Sequence, residues 1–256
     1  MTGARAFSLA PLIILHGANG SARDMQPLLE KLEDERPVIA LNWLGHGGRS
    51  IPNELTIEDI GADLIRQLDA RKIGAAHWFG FSVGGLLALW LAAHHPERVL
   101  SVATLTAKFI YDEAAIAHAT HLTNAERLRR SNLERAEALE RMHAPQDWQC
   151  LIVKVRDMFA TFAQTPPLTR EEVAGIQQPV LAFGALEDPL VPATEVRQLA
   201  NLLPNAIPAL FPGSAHPLAQ SPLDTIARTL LGFIEDPGKL ARSARVKLTE
   251  FRWDRA

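Results

Sequence analysis

The chain has 256 residues, of which 47% are hydrophobic and 21% are charged, and its net charge is −3. This length allows one large or two small domains with a core that needs no crosslinks. The weak negative charge gives no reason to expect nucleic acid or an anionic membrane as a partner. A lone cysteine, Cys150, excludes an internal disulfide framework and favours a reducing compartment. Residues 1–10 contain no apolar run of signal-peptide length, and no stretch of the chain approaches 18 apolar residues, so we expect a cytoplasmic protein.

Six short runs of apolar residues, bounded by glycine, proline or polar turns, are typical of buried strands. They cover residues 11–16, 37–42, 76–81, 99–105, 179–183 and 206–211. Amphipathic segments lie between them and predict helices at 57–68, 84–94, 194–203 and 221–234. The first of these helices opens with a capping pattern, Thr56 followed by Asp59. This alternation predicts an α/β fold with a mainly parallel central sheet and helices on both faces.

The alternation stops between residues 107 and 170, where no strand pattern is present and Ala, Glu, Arg and Leu are frequent. Helical periodicity predicts one helix over 124–142 and another over 148–162. A structureless loop of this length would be unusual, so we expect a helical insertion between two strands of the sheet. The predicted organisation is a core of residues 1–106 and 171–240, an insertion at 107–170 and a basic tail at 241–256.

The basic tail has two interpretations. Little sheet can precede residue 11, and Val246 and Leu248 alternate with charged or polar residues in the tail. Because an exposed sheet edge is usually covered, one interpretation is that the tail pairs with that edge as a strand. The other interpretation is a frayed terminus.

The sequence Gly80-Phe81-Ser82-Val83-Gly84 follows the G-x-S-x-G pattern and lies where a buried strand meets a helix. A serine on such a sharp turn has a strained backbone and projects its hydroxyl away from the sheet. Glycines flank it because a Cβ at either position would collide with the neighbouring strand or helix. The Val83 N–H would point from the helix N-terminus toward developing negative charge. The alternative is a turn that only links the strand to the helix.

A serine hydroxyl is a weak nucleophile unless a base removes its proton, and that base must itself be oriented. His216 follows the last predicted strand, and Asp188 follows the strand before it. Catalytic groups of open α/β sheets gather at the carboxyl ends of the strands, so we expect both side chains near Ser82. Glu187 is a second candidate for the acid. Five histidines on predicted helices offer no second member of a site: His94, His95, His118, His121 and His143. His46 lies in a glycine-rich turn and is interpreted as structural, and His16 is expected to stabilise its own turn and not to act as a second base.

Acyl transfer also needs donors for an oxyanion, usually two backbone N–H groups. The glycine-rich turn His16-Gly17-Ala18-Asn19-Gly20 follows the first predicted strand. Its position predicts that the Ala18 N–H pairs with the Val83 N–H.

Five segments, HGANG, GHGGRS, GFSVGG, EDPLVP and PGSAHP, resemble the landmarks of the α/β-hydrolase fold family between about residues 11 and 234. The resemblance implies Ser82 as the nucleophile, His216 as its base and Asp188 as the acid that orients the base. It also implies an oxyanion hole formed by Ala18 and Val83.

The same resemblance puts residues 107–170 where relatives carry a helical cap, and we expect Phe159, Phe162 and Trp148 of this cap to contact the substrate. Three features depart from the family pattern. The strands that relatives have before residue 11 are absent or reduced, Asn42 stands where many relatives have Asp, and Gly184 of the acid loop comes one residue early.

We therefore expect a serine hydrolase that cleaves an ester or related acyl bond of a small to medium, largely apolar substrate through an acyl-enzyme. Its partner is a small-molecule acyl substrate, without nucleic acid or membrane, and the chain is a monomer or homodimer. No metal or organic cofactor is expected, because no zinc-type cluster and no nucleotide-binding glycine pattern is present. Two alternatives remain open: hydrolysis of a C–C bond in ring-cleavage products, and a non-catalytic small-molecule receptor on the same fold.

Overall fold

A computed structural model describes residues 9–212, 216 and 218–237. Its centre is a six-stranded parallel sheet with the strand order β2-β1-β3-β4-β5-β6. The strands are β1 Leu12–Leu15, β2 Val38–Leu41, β3 Ala76–Phe81, β4 Val99–Leu105, β5 Val180–Ala185 and β6 Ala206–Phe211. All six predicted strands and the predicted fold class are confirmed.

Helices cover both faces of the sheet. In the described residues they are α1 Gln26–Leu29, α2 Ile57–Ala70, α3 Val83–His94, α4 Glu113–Leu122, α5 Ala125–Ser131, α6 Leu133–His143, α7 Trp148–Thr161, α8 Arg170–Gly175, α9 Ala193–Leu202 and α10 Leu223–Glu235. Short 3₁₀ turns add Ala22–Met25, Pro96–Arg98 and Leu218–Gln220. Within the described part of the chain, no helix is both long enough and apolar enough to cross a membrane.

The strands are continuous apolar runs in the sequence because both faces of the sheet are buried. In β1, Ile13 and Leu15 pack into one core cluster with α2, α3 and α9, while Leu12 and Ile14 pack into a second cluster with α10. The first cluster continues into α7, so the helical insertion shares its core with the sheet.

The strand order places a topological switch point beside β1. The chain crosses from β1 to β2 on one side and then returns to β3 on the other side of β1. In open α/β sheets the crevice at such a point, outside the carboxyl ends of the strands, is where ligands bind. The loops that leave β1 and β3, which carry Ala18 and Ser82, border this crevice.

The helical insertion differs from its prediction in two respects. The helix predicted over 124–142 is interrupted at Asn132, whose extended backbone (φ −153°) ends α5. The Asn132 side chain accepts a hydrogen bond from the Arg135 N–H at 2.9 Å and so starts α6 as a new helix. The second difference is α4, a helix that the sequence pattern does not predict.

Two departures from the family pattern concern the sheet edge that β2 forms. Asn42, which follows β2, accepts a hydrogen bond from the Ala22 N–H at 2.7 Å, so its amide holds two loops together. Among the described residues, β2 has no strand on its outer side. The tail at 241–256, with its predicted strand around Val246 and Leu248, lies outside the described residues.

The packing of α2 against α3 yields a stability prediction. A Cβ at Gly61 of α2 would overlap the indole ring of Trp90, which is buried in α3 and stacked on His94. We expect Gly61→Ala to lower the free energy of unfolding by about 1–3 kcal/mol, as overpacked core substitutions do. Urea denaturation measures this change.

Gly232 of α10 provides the matched control, because a Cβ there meets nothing within 4 Å. Gly232→Ala should raise the free energy of unfolding by up to about 1 kcal/mol through helix propensity. Equal effects of the two substitutions would contradict the close packing of α2 on α3.

Candidate active site

Ser82 occupies the turn between β3 and α3 with an unusual backbone. Its φ of 53° and ψ of −121° lie in a region that residues with a Cβ rarely adopt. The Ser82 N–H donates to the Leu105 carbonyl at 2.9 Å, which fastens the turn to the end of β4. The strained geometry is therefore held by the neighbouring strand.

The two glycines of the G-x-S-x-G pattern allow this turn to pack closely. A Cβ at Gly80 would overlap the backbone of Gly84, and a Cβ at Gly84 would lie 2.5 Å from the Leu15 carbonyl oxygen of β1. Both positions therefore exclude any side chain, as the sequence pattern predicts.

Ser82, His216 and Asp188 form a continuous chain of hydrogen bonds. Nε2 of His216 lies 3.0 Å from Oγ of Ser82, and Nδ1 of His216 lies 3.0 Å from Oδ2 of Asp188. An ionised carboxylate only accepts hydrogen bonds, so Nδ1 carries the imidazole proton and Nε2 is free to accept the hydroxyl proton. The His216 ring also packs on Phe81, with ring centroids 5.3 Å apart.

Asp188 is held as a buried carboxylate. Burial by itself would raise its pKa, but the hydrogen bond from His216 and those from the Val191 and Leu190 N–H groups outweigh burial and lower the pKa below its ordinary value. The backbone bonds measure 2.8 Å from Leu190 and 3.0 Å from Val191. Glu187, the second candidate for the acid, is exposed.

The predicted oxyanion donors lie beside Ser82. Ala18 and Val83 both line the cavity at Ser82, and in the described residues neither N–H donates to another backbone carbonyl. Gly17 brings this turn close to the serine, because a Cβ there would lie 3.3 Å from Cβ of Ser82. Two free N–H groups next to one hydroxyl are the donors that a developing oxyanion requires.

A cavity of about 570 Å³ opens at Ser82 and His216. The helical insertion supplies much of its wall through α4, the segment before α4, and Phe159 of α7. Apolar side chains dominate, and the polar ones include Lys108, Asp112, Thr194, Glu195 and Gln198. In the part of the chain that the structure describes, no group of His, Cys, Asp or Glu side chains could hold a metal ion.

The three side chains of the insertion that are predicted to contact the substrate lie in different surroundings. Phe159 lines the cavity. Phe162 packs edge-on against Phe159 and Tyr111, with ring centroids 5.6 and 4.9 Å away, and is not part of the cavity lining. Trp148 lies in a separate cluster with Ala136, Leu139 and Ile152. Substrate contact by Phe162 and Trp148 stays a prediction, and in the structure both side chains are buried against other residues of the insertion.

Two histidines set aside in the sequence analysis contact this region. His118 of α4 lines the cavity. His143, at the end of α6, accepts a hydrogen bond from the Gly47 N–H at 3.1 Å, and its Nε2 lies 3.2 Å from the Asn19 carbonyl oxygen. His143 thus ties the insertion to the loop that holds Ala18. Its partners are 96 and 124 residues away in the chain, so no local pattern indicates them.

His16 stabilises its turn, as expected. Its Nδ1 lies 2.8 Å from the Gly17 carbonyl oxygen, and its ring stacks on Trp43 at 5.1 Å. Complete burial lowers the pKa of His16 to about 3, although the bond to Gly17 opposes this shift. A histidine of such low basicity, whose ring is buried against Trp43 and bonded to Gly17, is not suited to be a second base for Ser82.

The sequence agrees with this geometry at the level of family. Residues 10–174, more than half of the chain, match the model of the alpha/beta hydrolase fold family. The chain belongs to this family.

Individual relatives are more distant. 3-Oxoadipate enol-lactonase 1 of Acinetobacter baylyi is 34% identical over 94 residues, which cover 36% of this chain and only 35% of that protein. The pimeloyl-acyl-carrier-protein methyl ester esterase of Vibrio cholerae is 25% identical over 244 residues, or 87% of this chain and 93% of the esterase. Among solved structures, the enol-lactonase of Burkholderia xenovorans has a TM-score of 0.70 at 21% identity, covering 89% of this chain and 92% of that one. This last likeness concerns the fold alone.

The strained backbone of Ser82 gives a prediction that is independent of catalysis. At ordinary positions a glycine is less stable than an alanine by roughly 0.5–1 kcal/mol. At position 82 we expect the opposite order, with Ser82→Gly more stable than Ser82→Ala by about 1 kcal/mol, because glycine relieves the positive φ. Urea denaturation of the two variants measures the difference.

Ser50, which is exposed and has no positive φ, is the control position. Ser50→Ala should be at least as stable as Ser50→Gly. If alanine were also the more stable residue at position 82, the turn would hold no strain.

Proposed function

We propose that the chain is a serine hydrolase that cleaves an ester or related acyl bond of a small to medium substrate through an acyl-enzyme. The observation that carries this proposal is the hydrogen-bonded chain from Ser82 through His216 to the buried Asp188 at the cavity. The names of the two sequence relatives, an enol-lactonase and a methyl ester esterase, support chemistry at ester-type bonds.

The first step follows from the tautomer of His216. Oγ of Ser82 attacks the substrate carbonyl carbon while Nε2 of His216 takes the hydroxyl proton. The carbonyl oxygen becomes an oxyanion, which the N–H groups of Ala18 and Val83 stabilise. Asp188 remains ionised, holds Nδ1–H in place and stabilises the positive charge that develops on the imidazole.

The tetrahedral intermediate then collapses. The bond from carbon to the leaving oxygen breaks, and His216 returns its proton to that oxygen, so an alcohol leaves and an ester to Ser82 remains. Water attacks this ester with His216 as the base. The bond to Oγ breaks, Ser82 regains its proton, and the acid product is released.

In this proposal, residues 107–170 act as the cap over the site, and Phe159 is their contact with the acyl chain. The proposal rests on the continuity of α7 with the core of the sheet and on the share of the cavity wall that α4 supplies. A cap of this kind excludes water from the oxyanion and selects the substrate by shape.

The nucleophile is tested with a fluorophosphonate probe. We expect the probe to label Ser82 alone, and Ser82→Ala to lower turnover of p-nitrophenyl esters by about 10⁴–10⁶-fold, as the loss of a triad serine does in other hydrolases. Intact-mass and peptide mass spectrometry locate the label.

Ser50→Ala is the control, since an exposed serine outside the cavity should leave both labelling and turnover unchanged. A ring-cleavage diketone in the same panel separates C–C hydrolysis from ester hydrolysis. No labelling of the wild-type chain would indicate a receptor instead.

The two candidate acids are tested as a pair. Asp188→Asn should lower kcat by about 10⁴-fold, because an asparagine amide favours the wrong imidazole tautomer, while substrate binding changes little. Glu187→Gln should have no effect, because Glu187 is exposed and Asp188 alone reaches His216. Steady-state kinetics with one ester decide between the two residues, and the reverse pattern would reject Asp188.

A further inference from the structure

An ion pair lies in the wall of the otherwise mostly apolar cavity. Nζ of Lys108, on the loop that leaves β4, is 2.7 Å from Oε2 of Glu195 in the first turn of α9. The Glu195 side chain is 8% exposed and that of Lys108 is 23% exposed, and both residues line the cavity that holds Ser82. Nothing in the proposed mechanism uses this pair.

The carboxylate of Glu195 has more partners than Lys108 alone. Its Oε1 accepts hydrogen bonds from the Phe109 N–H at 3.0 Å and from the Ile110 N–H at 3.1 Å. It also lies at the N-terminus of α9, where the helix dipole stabilises negative charge. Two backbone N–H groups and the N-terminus of α9 therefore stabilise the Glu195 carboxylate in addition to Lys108. The carboxylate does not depend on the charge of Lys108 alone.

Lys108 keeps donors available to the cavity. An ammonium group has three N–H donors, and among the described residues Glu195 is the hydrogen-bond partner of Nζ. Of the other charged groups in the lining, Asp112 is engaged at the start of α4, where it accepts the Ala115 N–H at 2.8 Å. A cation that is partly exposed in an apolar wall is a binding group for an anion.

Lys108 and Ser82 line the same cavity of about 570 Å³, which has room for a small acyl chain. The carbonyl of Leu105 accepts the Ser82 N–H, and Lys108 follows Leu105 by three residues. The Cα atoms of Leu105 and Lys108 are therefore at most about 11 Å apart. The cavity that contains Ser82 and Lys108 is also lined by apolar side chains such as Ile110, Tyr111 and Leu190.

We propose that Lys108 determines specificity by binding a carboxylate at the far end of a short acyl chain. The substrate class is then an ester or lactone of a short dicarboxylic or oxo acid, with an apolar middle and one anionic end. This inference rests on the proposed function, because it assigns the substrate of the same site.

The kinetic test compares two esters of equal acyl length, mono-p-nitrophenyl glutarate and p-nitrophenyl pentanoate. The wild-type chain should prefer the glutarate ester in kcat/KM. Lys108→Met should lower the ratio of glutarate to pentanoate by about tenfold to a hundredfold, the range for a hydrogen bond to a charged group. An unchanged ratio in Lys108→Met overturns the proposal.

Glu195→Gln is the matched control, because it breaks the same ion pair but leaves Lys108 in the cavity. It should keep or raise the preference for the glutarate ester. If the pair only held the loop to α9, both variants would lower the two rates equally, and the proposal would fail. Where Lys108→Met does not fold because Glu195 loses its cation, the double variant Lys108→Met/Glu195→Gln removes both charges and should still abolish the preference.

A binding test separates this inference from the proposed function. Calorimetry on Ser82→Ala, which needs no turnover, compares 5-oxohexanoate with 2-hexanone, a neutral ketone of equal length. The anion should bind at least tenfold more tightly, and adding Lys108→Met should remove the difference. Equal affinities of the two ketones would overturn the role of Lys108. If the wild-type chain hydrolysed neither ester, the proposed function would fail, and the calorimetry would still decide the role of Lys108.

Discussion

The close approach of β3, α3 and β1 around Ser82 is the constraint on which the site depends. Gly80 and Gly84 have no room for a side chain, and Ser82 between them adopts a positive φ. Such a backbone persists only when its surroundings fix it, and the bond from the Ser82 N–H to the Leu105 carbonyl is one of those restraints. The turn exposes the hydroxyl at the switch point of the sheet, where the loops after β1 and β3 meet. Backbone packing therefore sets the positions of Ser82 and of the Ala18 and Val83 N–H groups.

The other loops at this edge are held by buried carboxylates with many donors. Asp188 accepts hydrogen bonds from two N–H groups of its own turn and from His216. Glu195 accepts hydrogen bonds from the loop after β4. Asp63 of α2 accepts a 2.8 Å hydrogen bond from Nη2 of Arg49. Burial would raise the pKa of Asp63, but the hydrogen bonds from Arg49 and Gln67 and the charge of Arg49 lower it.

This arrangement explains which parts of the molecule the sequence predicts. A strand buried on both faces must be a continuous apolar run, so all six strands could be located from composition and turns. Ser82 could also be placed on its strand-to-helix turn, since the G-x-S-x-G pattern and its context are local. The loop positions of Asp188 and His216 follow from the strands β5 and β6 that precede them, but only the fold brings His216 within hydrogen-bond distance of both Asp188 and Ser82.

The insertion was harder to predict for a physical reason. None of the residues of α4 is buried, so the helix has no apolar stripe from which its period could be read. Asn132 interrupts a pattern that otherwise predicts one long helix, because its side chain caps α6 as well as any N-cap residue would. The Lys108–Glu195 pair joins positions 87 residues apart, and the contact of His143 with Asn19 spans 124. Long-range polar contacts of this kind leave no trace in periodicity.

The difference between the buried sheet and the exposed helix α4 also applies to the walls of the cavity. Ser82 is restrained by a hydrogen bond to the end of β4, Asp188 by hydrogen bonds within its own turn, and Lys108 by its bond to Glu195 of α9. The wall that α4 supplies has no buried residue to anchor it, and segments with few buried contacts open at low free energy. We therefore expect the reacting end and the cationic end of the cavity to stay fixed while the apolar side between them adjusts. In the role proposed for Lys108, fixed positions of Ser82 and Lys108 would select acyl chains by length, whereas an adjustable apolar wall would tolerate differences in their width.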